Sequence, residues 1–266
     1  MEQRKTGPAP TADEAFSDRP QEDIIAGRNA VAEALRAGRA IDSVLLAKGD
    51  RAGSISALAA QCRRKGLLVK EVDSRKLDAL CGPNHQGIAA LAACKETVTL
   101  DELFAAAEAK GEPPFFVVCD ELEDPHNLGA VVRTAEAAGA HGVIIPKRRS
   151  AGLTAAVYKA SAGAVEYLPV ARVPNIAEAI REIKKRGVWV YGLDMDGDTW
   201  CQTDLRGALA LVVGSEGRGI GRLVREQCDG VVSLPMHGRI NSLNASVACG
   251  ILLYEAARQR AGLSGR

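Results

Sequence analysis

Three short stretches carry the side chains that could do chemistry. In Asp124-Pro125-His126-Asn127-Leu128-Gly129-Ala130-Val131-Val132-Arg133 a carboxamide and a guanidinium stand just past an apolar strand. Ligands of open α/β sheets bind beyond that carboxyl edge. Asn127 can cap the helix that follows. Arg133 has Gly129, not an acid, four residues before it, so it can grip a phosphate or polarise a hydroxyl. The plain alternatives are a solvated helix cation or a partner for Glu136. In Leu209-Ala210-Leu211-Val212-Val213-Gly214-Ser215-Glu216-Gly217-Arg218-Gly219-Ile220 a buried strand runs into three glycines. Backbone this bare lets a ligand come close. The spacing G-x-x-G-x-G is neither a dinucleotide fingerprint nor a P-loop. Glu216 would repel a phosphate but suits a cationic or hydroxyl ligand. The third stretch, Val231 to Arg260, is a short strand stopped by Pro235, a polar loop, and a helix from near Asn244 to about Arg260. Asn241, Ser242 and Asn244 are N-cap candidates. The free N–H groups at the start of that helix can seat a polar or anionic ligand.

The elements that must hold these stretches alternate in type. Phe115-Phe116-Val117-Val118-Cys119 reads as a fully apolar strand. After it come helix 128–138, strand 142–145, helix 153–160, strand 165–168, helix 175–186 and strand 188–193. Strand 209–213, helix 219–227, strand 231–234 and the final helix complete the series. Such alternation predicts an α/β fold with a parallel sheet covered on both faces. Ala245, Ala248, Gly250, Ala256 and Ala257 make the last helix small-sided, and Val247, Ile251, Leu252 and Tyr254 make it apolar on several faces, so it is expected to be buried.

Upstream, a smaller α/β module is expected to end near Cys94. Its elements are helix 29–37, strand 44–46, helix 54–65, strand 67–69, a helical turn at 75–80 and strand 87–93. Helix 100–110 and the break Gly111-Glu112-Pro113-Pro114 separate it from the larger unit. Residues 1–20 lack periodicity and read as a disordered tail. The expected division is therefore a tail at 1–20, a module at 21–97, a linker at 98–114, a larger domain at 115–260 and a short tail at 261–266.

Composition narrows the class. The 266 residues are 47% hydrophobic and 25% charged, with a formal net charge of +1, as for a soluble globular protein with no basic tail. The seven cysteines show no CxxC spacing and several sit in apolar patterns, which predicts reduced thiols in a cytoplasmic protein. The four histidines are scattered, so no metal site is expected. No apolar run approaches membrane-spanning length.

Taken together, NxGxxxR after a first strand, GxEGxG after a late strand and SLNxSxA before a terminal helix make the chain resemble the SpoU/TrmH family of RNA ribose 2′-O-methyltransferases, in the SPOUT superfamily. The resemblance spans roughly Phe115 to Arg260. Gly27-Arg28-Asn29-Ala30-Val31 and His85-Gln86-Gly87 are similar to that family's L30-like substrate-binding domain. The two-domain layout is most similar to bacterial 23S rRNA guanosine-2′-O-methyltransferases, with tRNA and other rRNA members sharing it. The resemblance implies a sheet whose C-terminal segment is threaded into a trefoil knot, S-adenosylmethionine bound in that knot, structured RNA as substrate and a homodimer. By position it implies cofactor contacts from Gly214, Leu234, Met236, Ser242, Leu243 and Asn244. The implied active-site set is Asn127, Arg133, Glu216, Ser242 and Asn244. Two rival classes stay open from the residues themselves. A nicotinamide-dependent oxidoreductase would use the glycine turn, against its spacing. A non-catalytic RNA-binding protein would need a decayed polar set, and this one is intact.

Overall fold

The computed structural model describes residues 24–49, 53–92, 95–239 and 242–263. The expected tail at 1–20, Cys94 and the cap candidate Asn241 lie outside them. The chain forms two compact units, Met1–Cys94 and Lys95–Arg266.

The first unit holds β1 (Ile24–Ala26), α1 (Arg28–Arg36), β2 (Ile41–Ala47), α2 (Gly53–Arg64), β3 (Leu68–Val72), α3 (Ser74–Cys81) and β4 (Ile88–Ala92). Its strands lie in the order β1-β4-β2-β3, so Ile24-Ile25 is a strand rather than merely the start of order. Leu45, Leu77, Ala89 and Leu91 centre its core. The two motifs read in this unit meet. The Gln86 side chain accepts from the Arg28 amide at 3.0 Å, and the buried His85 ring accepts from the Gly87 amide at 2.9 Å. Gln86 has φ 52° and Gly87 φ 78°, a tight turn that the ring hydrogen bond pins in place.

The second unit opens with α4 (Leu100–Lys110) and continues through β5 (Phe115–Cys119), α5 (Pro125–Ala137), β6 (Gly142–Pro146), α6 (Ala155–Ala160), β7 (Val170–Val173) and α7 (Ile176–Lys185). It ends with β8 (Trp189–Thr199), β9 (Leu209–Val213), α8 (Arg222–Arg225), β10 (Gly230–Ser233) and α9 (Ala245–Arg260). The six strands lie in the order β10-β8-β9-β5-β6-β7, all parallel. The inner strands β5, β6 and β9 are buried at every residue, because helices cover both faces of a parallel sheet. One face packs Phe116, Val118, Ile144 and Val212 against Leu103 of α4 and Ile180 and Ile183 of α7. On the other, α9 lies on β9 and α5. A thread capping box starts α4: Thr99 accepts from the Glu102 amide while Glu102 accepts from the Thr99 amide. The segment expected as a linker is thus packed structure in its helical part. Gly142 makes room for it, since a Cβ there would overlap the Leu103 side chain.

Three sequence expectations shift. Residues 165–168 are not a strand. A 3-10 turn spans Ala164–Glu166, and left-handed Ala162 (φ 51°) and Gly163 (φ 92°) bend the chain before the edge strand starts at Val170. The helix expected over 219–227 shrinks to α8, because Gly219 (φ 66°) is drawn into a turn with Ser215 by paired backbone hydrogen bonds. Strand β8 runs on to Thr199, since Val232 and Ser233 of β10 pair with Asp198 and Thr199. The last helix is also less covered than expected. Val247, Ile251 and Tyr254 are exposed, at 53%, 37% and 56%, a row with no partner within the described residues of one chain.

Candidate active site

The three chemical stretches converge at the carboxyl edge of the sheet, after β5, β9 and β10. Asp124, not Asn127, caps α5, accepting from the His126 amide at 3.0 Å, and Pro125 opens the helix where no N–H is needed. That leaves the Asn127 carboxamide free to face another segment. Its Nδ2 donates to Oε1 of Glu216 at 2.6 Å. Asn244 Nδ2 donates to the same oxygen at 2.9 Å and to Asn127 Oδ1 at 2.9 Å. Asn127 is 4% exposed.

The N-cap of α9 sets the orientation of this triad. Asn244 Oδ1 accepts from the amides of Ser246 (2.9 Å) and Val247 (3.2 Å) and from the Ser246 hydroxyl (2.6 Å). With the oxygen committed to the cap, the amide nitrogen must face Glu216 and Asn127. Only one Glu216 oxygen is used; the other takes no hydrogen bond among the described residues.

A cavity of about 610 Å³ opens beside the triad. Every expected cofactor residue lines it: Gly214, Leu234, Met236, Ser242, Leu243 and Asn244, with Glu216. Gly214 is required there, because a Cβ would overlap the backbone of Gly219 and Ile220. Arg133 is the exception. It is exposed on α5, lines neither this cavity nor the smaller one beside Asp124, and makes no hydrogen bond or ion pair among the described residues.

Sequence reasoning missed Leu193, Asp194, Met195 and Arg218, which also line the cavity. Asp194 lies just past the strand expected at 188–193, in the bulge where the pairing with β10 skips from Gly192 to Asp198. Arg225 holds it at 3.1 Å and pairs with Asp196 at 2.8 Å, which lowers the Asp196 carboxyl pKa. Arg218 was legible only as part of the glycine turn. Behind β5, Asp120 accepts from the Gly221 amide at 2.7 Å. Burial raises its pKa against that hydrogen bond, with the Glu121 charge adding to the rise. The buried thiols are inert: desolvation lifts Cys249 to about 12 and Cys119 well above its usual value. All six described cysteines are free. Among the described residues no cluster of three or more His, Cys, Asp or Glu could hold a metal ion, and no helix is long and apolar enough to cross a membrane.

The cavity suits S-adenosylmethionine. Leu193, Val213, Leu234 and Leu243 offer apolar contact for an adenine, Asp194 and Glu216 offer acceptors for hydroxyls and cationic groups, and bare Gly214 admits close approach.

Comparison with known proteins agrees with this chemistry. Residues 114–254 match the SpoU rRNA methylase family and residues 24–98 the RNA 2′-O ribose methyltransferase substrate-binding family. YacO of Bacillus subtilis (strain 168), named for the TrmH family of tRNA/rRNA methyltransferases, is 48% identical over 241 residues, 90% of this chain and 97% of its own. A TrmH family protein of Staphylococcus haemolyticus is 44% identical over 89% of this chain and 96% of its own. Among solved structures, the SpoU methyltransferase AviRb from Streptomyces viridochromogenes, in complex with AdoMet, matches with a TM-score of 0.74 at 26% identity over 90% of each chain. An AdoMet-bound rRNA methyltransferase from Sinorhizobium meliloti matches with a TM-score of 0.72 at 26% identity, over 91% of this chain and 88% of that one. With both domain families matched in order and the polar triad assembled beside a cavity of the right chemistry, the chain belongs to the SpoU/TrmH family of S-adenosylmethionine-dependent RNA 2′-O-methyltransferases.

Proposed function

We propose that the protein methylates the ribose 2′-OH of one nucleotide in structured ribosomal RNA, a guanosine of 23S rRNA, in the cytoplasm. The observation that carries the reading is the Asn127–Glu216–Asn244 triad, which stands against the cavity with one carboxylate oxygen unengaged among the described residues. S-adenosylmethionine supplies a methyl already activated on a sulfonium, so the protein's own work is alignment and charge. Leu234, Met236, Ser242 and Leu243 hold the cofactor. The free Glu216 oxygen accepts the hydrogen bond of the 2′-OH and takes up its proton, while the two carboxamides fix the carboxylate. The segment from β8 to α9 forms the family's trefoil knot in this reading. Its support is the tight passage where a Cβ at Gly197 would overlap the Val231 backbone. Residues 21–97 form the L30-like RNA-docking domain, residues 98–114 join the two, and residues 115–260 form the catalytic domain.

Arg133 completes the site from a second copy. It lies six residues after Asn127, about 240° further round the helix, and so faces away from its own triad. Beside it runs the exposed row Val247, Ile251 and Tyr254, with Thr134 of α5 in contact range of Gly250 of α9. A homodimer built on that row brings the guanidinium to the partner's site, where it favours the developing alkoxide.

The test is methyl transfer from labelled S-adenosylmethionine to unmodified 23S rRNA, 16S rRNA and tRNA transcripts, followed by mapping of 2′-O-methyl sites. Label on a 23S rRNA guanosine is expected. Label on tRNA alone would reassign the substrate, and no transfer to any of the three would remove the catalytic reading.

A further inference from the structure

Glu216 of the triad stands in a wall shared by two cavities. Behind it lies a second cavity of about 270 Å³, lined by Glu121, Glu123, Asp124, Asn127, Glu216 and Arg218 among others. Glu216 and Arg218 line both cavities. A group transfer between two substrates needs two seats that meet at the reacting atoms, and here Glu216 of the triad stands in the common wall, with Asn127 on the smaller side and Asn244 on the larger. The smaller seat is below the usual range of roughly 300–1,000 Å³ for ligand pockets, so it suits one sugar-and-base unit and not a helical segment.

Its charge decides which part of a nucleotide can enter. Four carboxylates and one guanidinium line it, so phosphate is disfavoured, while ribose hydroxyls and base N–H donors find acceptors. The phosphates must then lie outside, and a cationic platform stands there. The loop after β6 carries Lys147, Arg148 and Arg149, all exposed. It is tied to the cavity lining: the Ala151 amide donates to the Leu122 carbonyl at 2.9 Å, the Ser150 hydroxyl donates to it at 3.3 Å, and Arg149 pairs with Glu121 at 3.2 Å. Glu121 and Arg149 both hold left-handed backbone, φ 53° and 56°. Non-glycine residues adopt it at a cost and hold it only where surrounding structure fixes it. Lys147 and Arg148 make no side-chain hydrogen bond or ion pair among the described residues.

We infer that the acceptor nucleotide enters the smaller cavity with its ribose and base inside, and that Lys147 and Arg148 hold the phosphates flanking it. The inference rests on the methyltransferase reading above and adds where the RNA strand runs.

Lys147→Glu combined with Arg148→Glu in the full-length protein tests the phosphate path. Filter binding of unmodified 23S rRNA transcript across a KCl series, without cofactor, reads the salt slope. Each lost phosphate contact should lower that slope by about 1, so a fall of about 1–2 is expected, with affinity for S-adenosylhomocysteine unchanged. Lys185→Glu, at the opposite edge of the sheet, should leave the slope alone. Glu123→Trp, which fills the smaller cavity, should cut transfer at least tenfold with cofactor affinity intact. An unchanged slope in the double variant, or a slope lowered equally by Lys185→Glu, would overturn the phosphate path. Normal transfer by Glu123→Trp would overturn the cavity assignment. The salt slope needs no turnover, so loss of this path and loss of the methyltransferase reading register in separate measurements.

Discussion

At the scale of single residues, Asn244 serves two structures through one side chain. Its oxygen caps α9 and its nitrogen fixes Glu216. Aspartate caps as well as asparagine but has no N–H to give, and it would set a second carboxylate against Glu216. Asn244→Asp should therefore unfold within about 1 kcal/mol of wild type in denaturant yet lose transfer by about 100- to 1,000-fold. Asn244→Ala should lose both, with a cap penalty of about 1 kcal/mol. Equal loss of stability in the two variants, or near-normal transfer by the aspartate, would uncouple the cap from the chemistry. Part of this was legible before the fold was known: residue type gave Asn244 as a cap and Glu216 as an acceptor, and the family resemblance, not the residues alone, grouped them with Asn127. What could not be read was the division of labour. Asn127 reads as a cap from its residue type alone, and the structure gives that place to Asp124, three residues earlier.

At the scale of elements, the apolar runs of β5, β6 and β9 announced themselves because both faces are buried and nothing polar interrupts them. The edges were harder. The polar half of β8 has no apolar signal, so only its partner β10 makes it a strand. The three-glycine turn after β9 consumes residues that resemble a helix start. That turn is anchored by Asp120 through the Gly221 amide, and its carboxyl pKa is raised by burial. A group whose folded pKa is raised favours the fold fully below its unfolded value, near 4, and loses that contribution as pH rises through the folded value. Asp120→Asn keeps an acceptor for Gly221 without the buried charge. It should raise the melting temperature at pH 7, with the gain shrinking to nothing as pH falls towards 4. Calorimetric scans across that range check it, and a gain that grows on acidification would reverse the assignment.

At the scale of the molecule, two things stay unfinished among the described residues: an exposed apolar row on α9 and an Arg133 without a partner. The homodimer proposed above would resolve both. Arg133→Ala should lose transfer by about 100- to 1,000-fold with cofactor affinity retained, and Arg133→Lys should recover little of it, because a point charge lacks the planar fork. The two variants Arg133→Ala and Glu216→Gln, each inactive alone, should regain activity when mixed under conditions of subunit exchange. If each site takes its arginine from the neighbour, random pairing restores about a quarter of the sites. No recovery despite demonstrated exchange would place Arg133 in its own subunit's site. The parallel α/β class was legible from the alternation of elements. The exposure of Val247, Ile251 and Tyr254 was not, because an exposed apolar row on a helix looks the same in sequence as a buried one.

The contrast between Asn244 and Arg133 has a consequence for descent. Arg133 holds nothing up among the described residues of its own chain, so a copy of this gene released from selection for catalysis could change it without weakening the fold. Position 244 is narrower, because the helix it caps admits only another capping residue such as aspartate or serine. A lineage that had given up methyl transfer would then show the loss first on an exposed helix face, while position 244 drifted only among side chains that still cap.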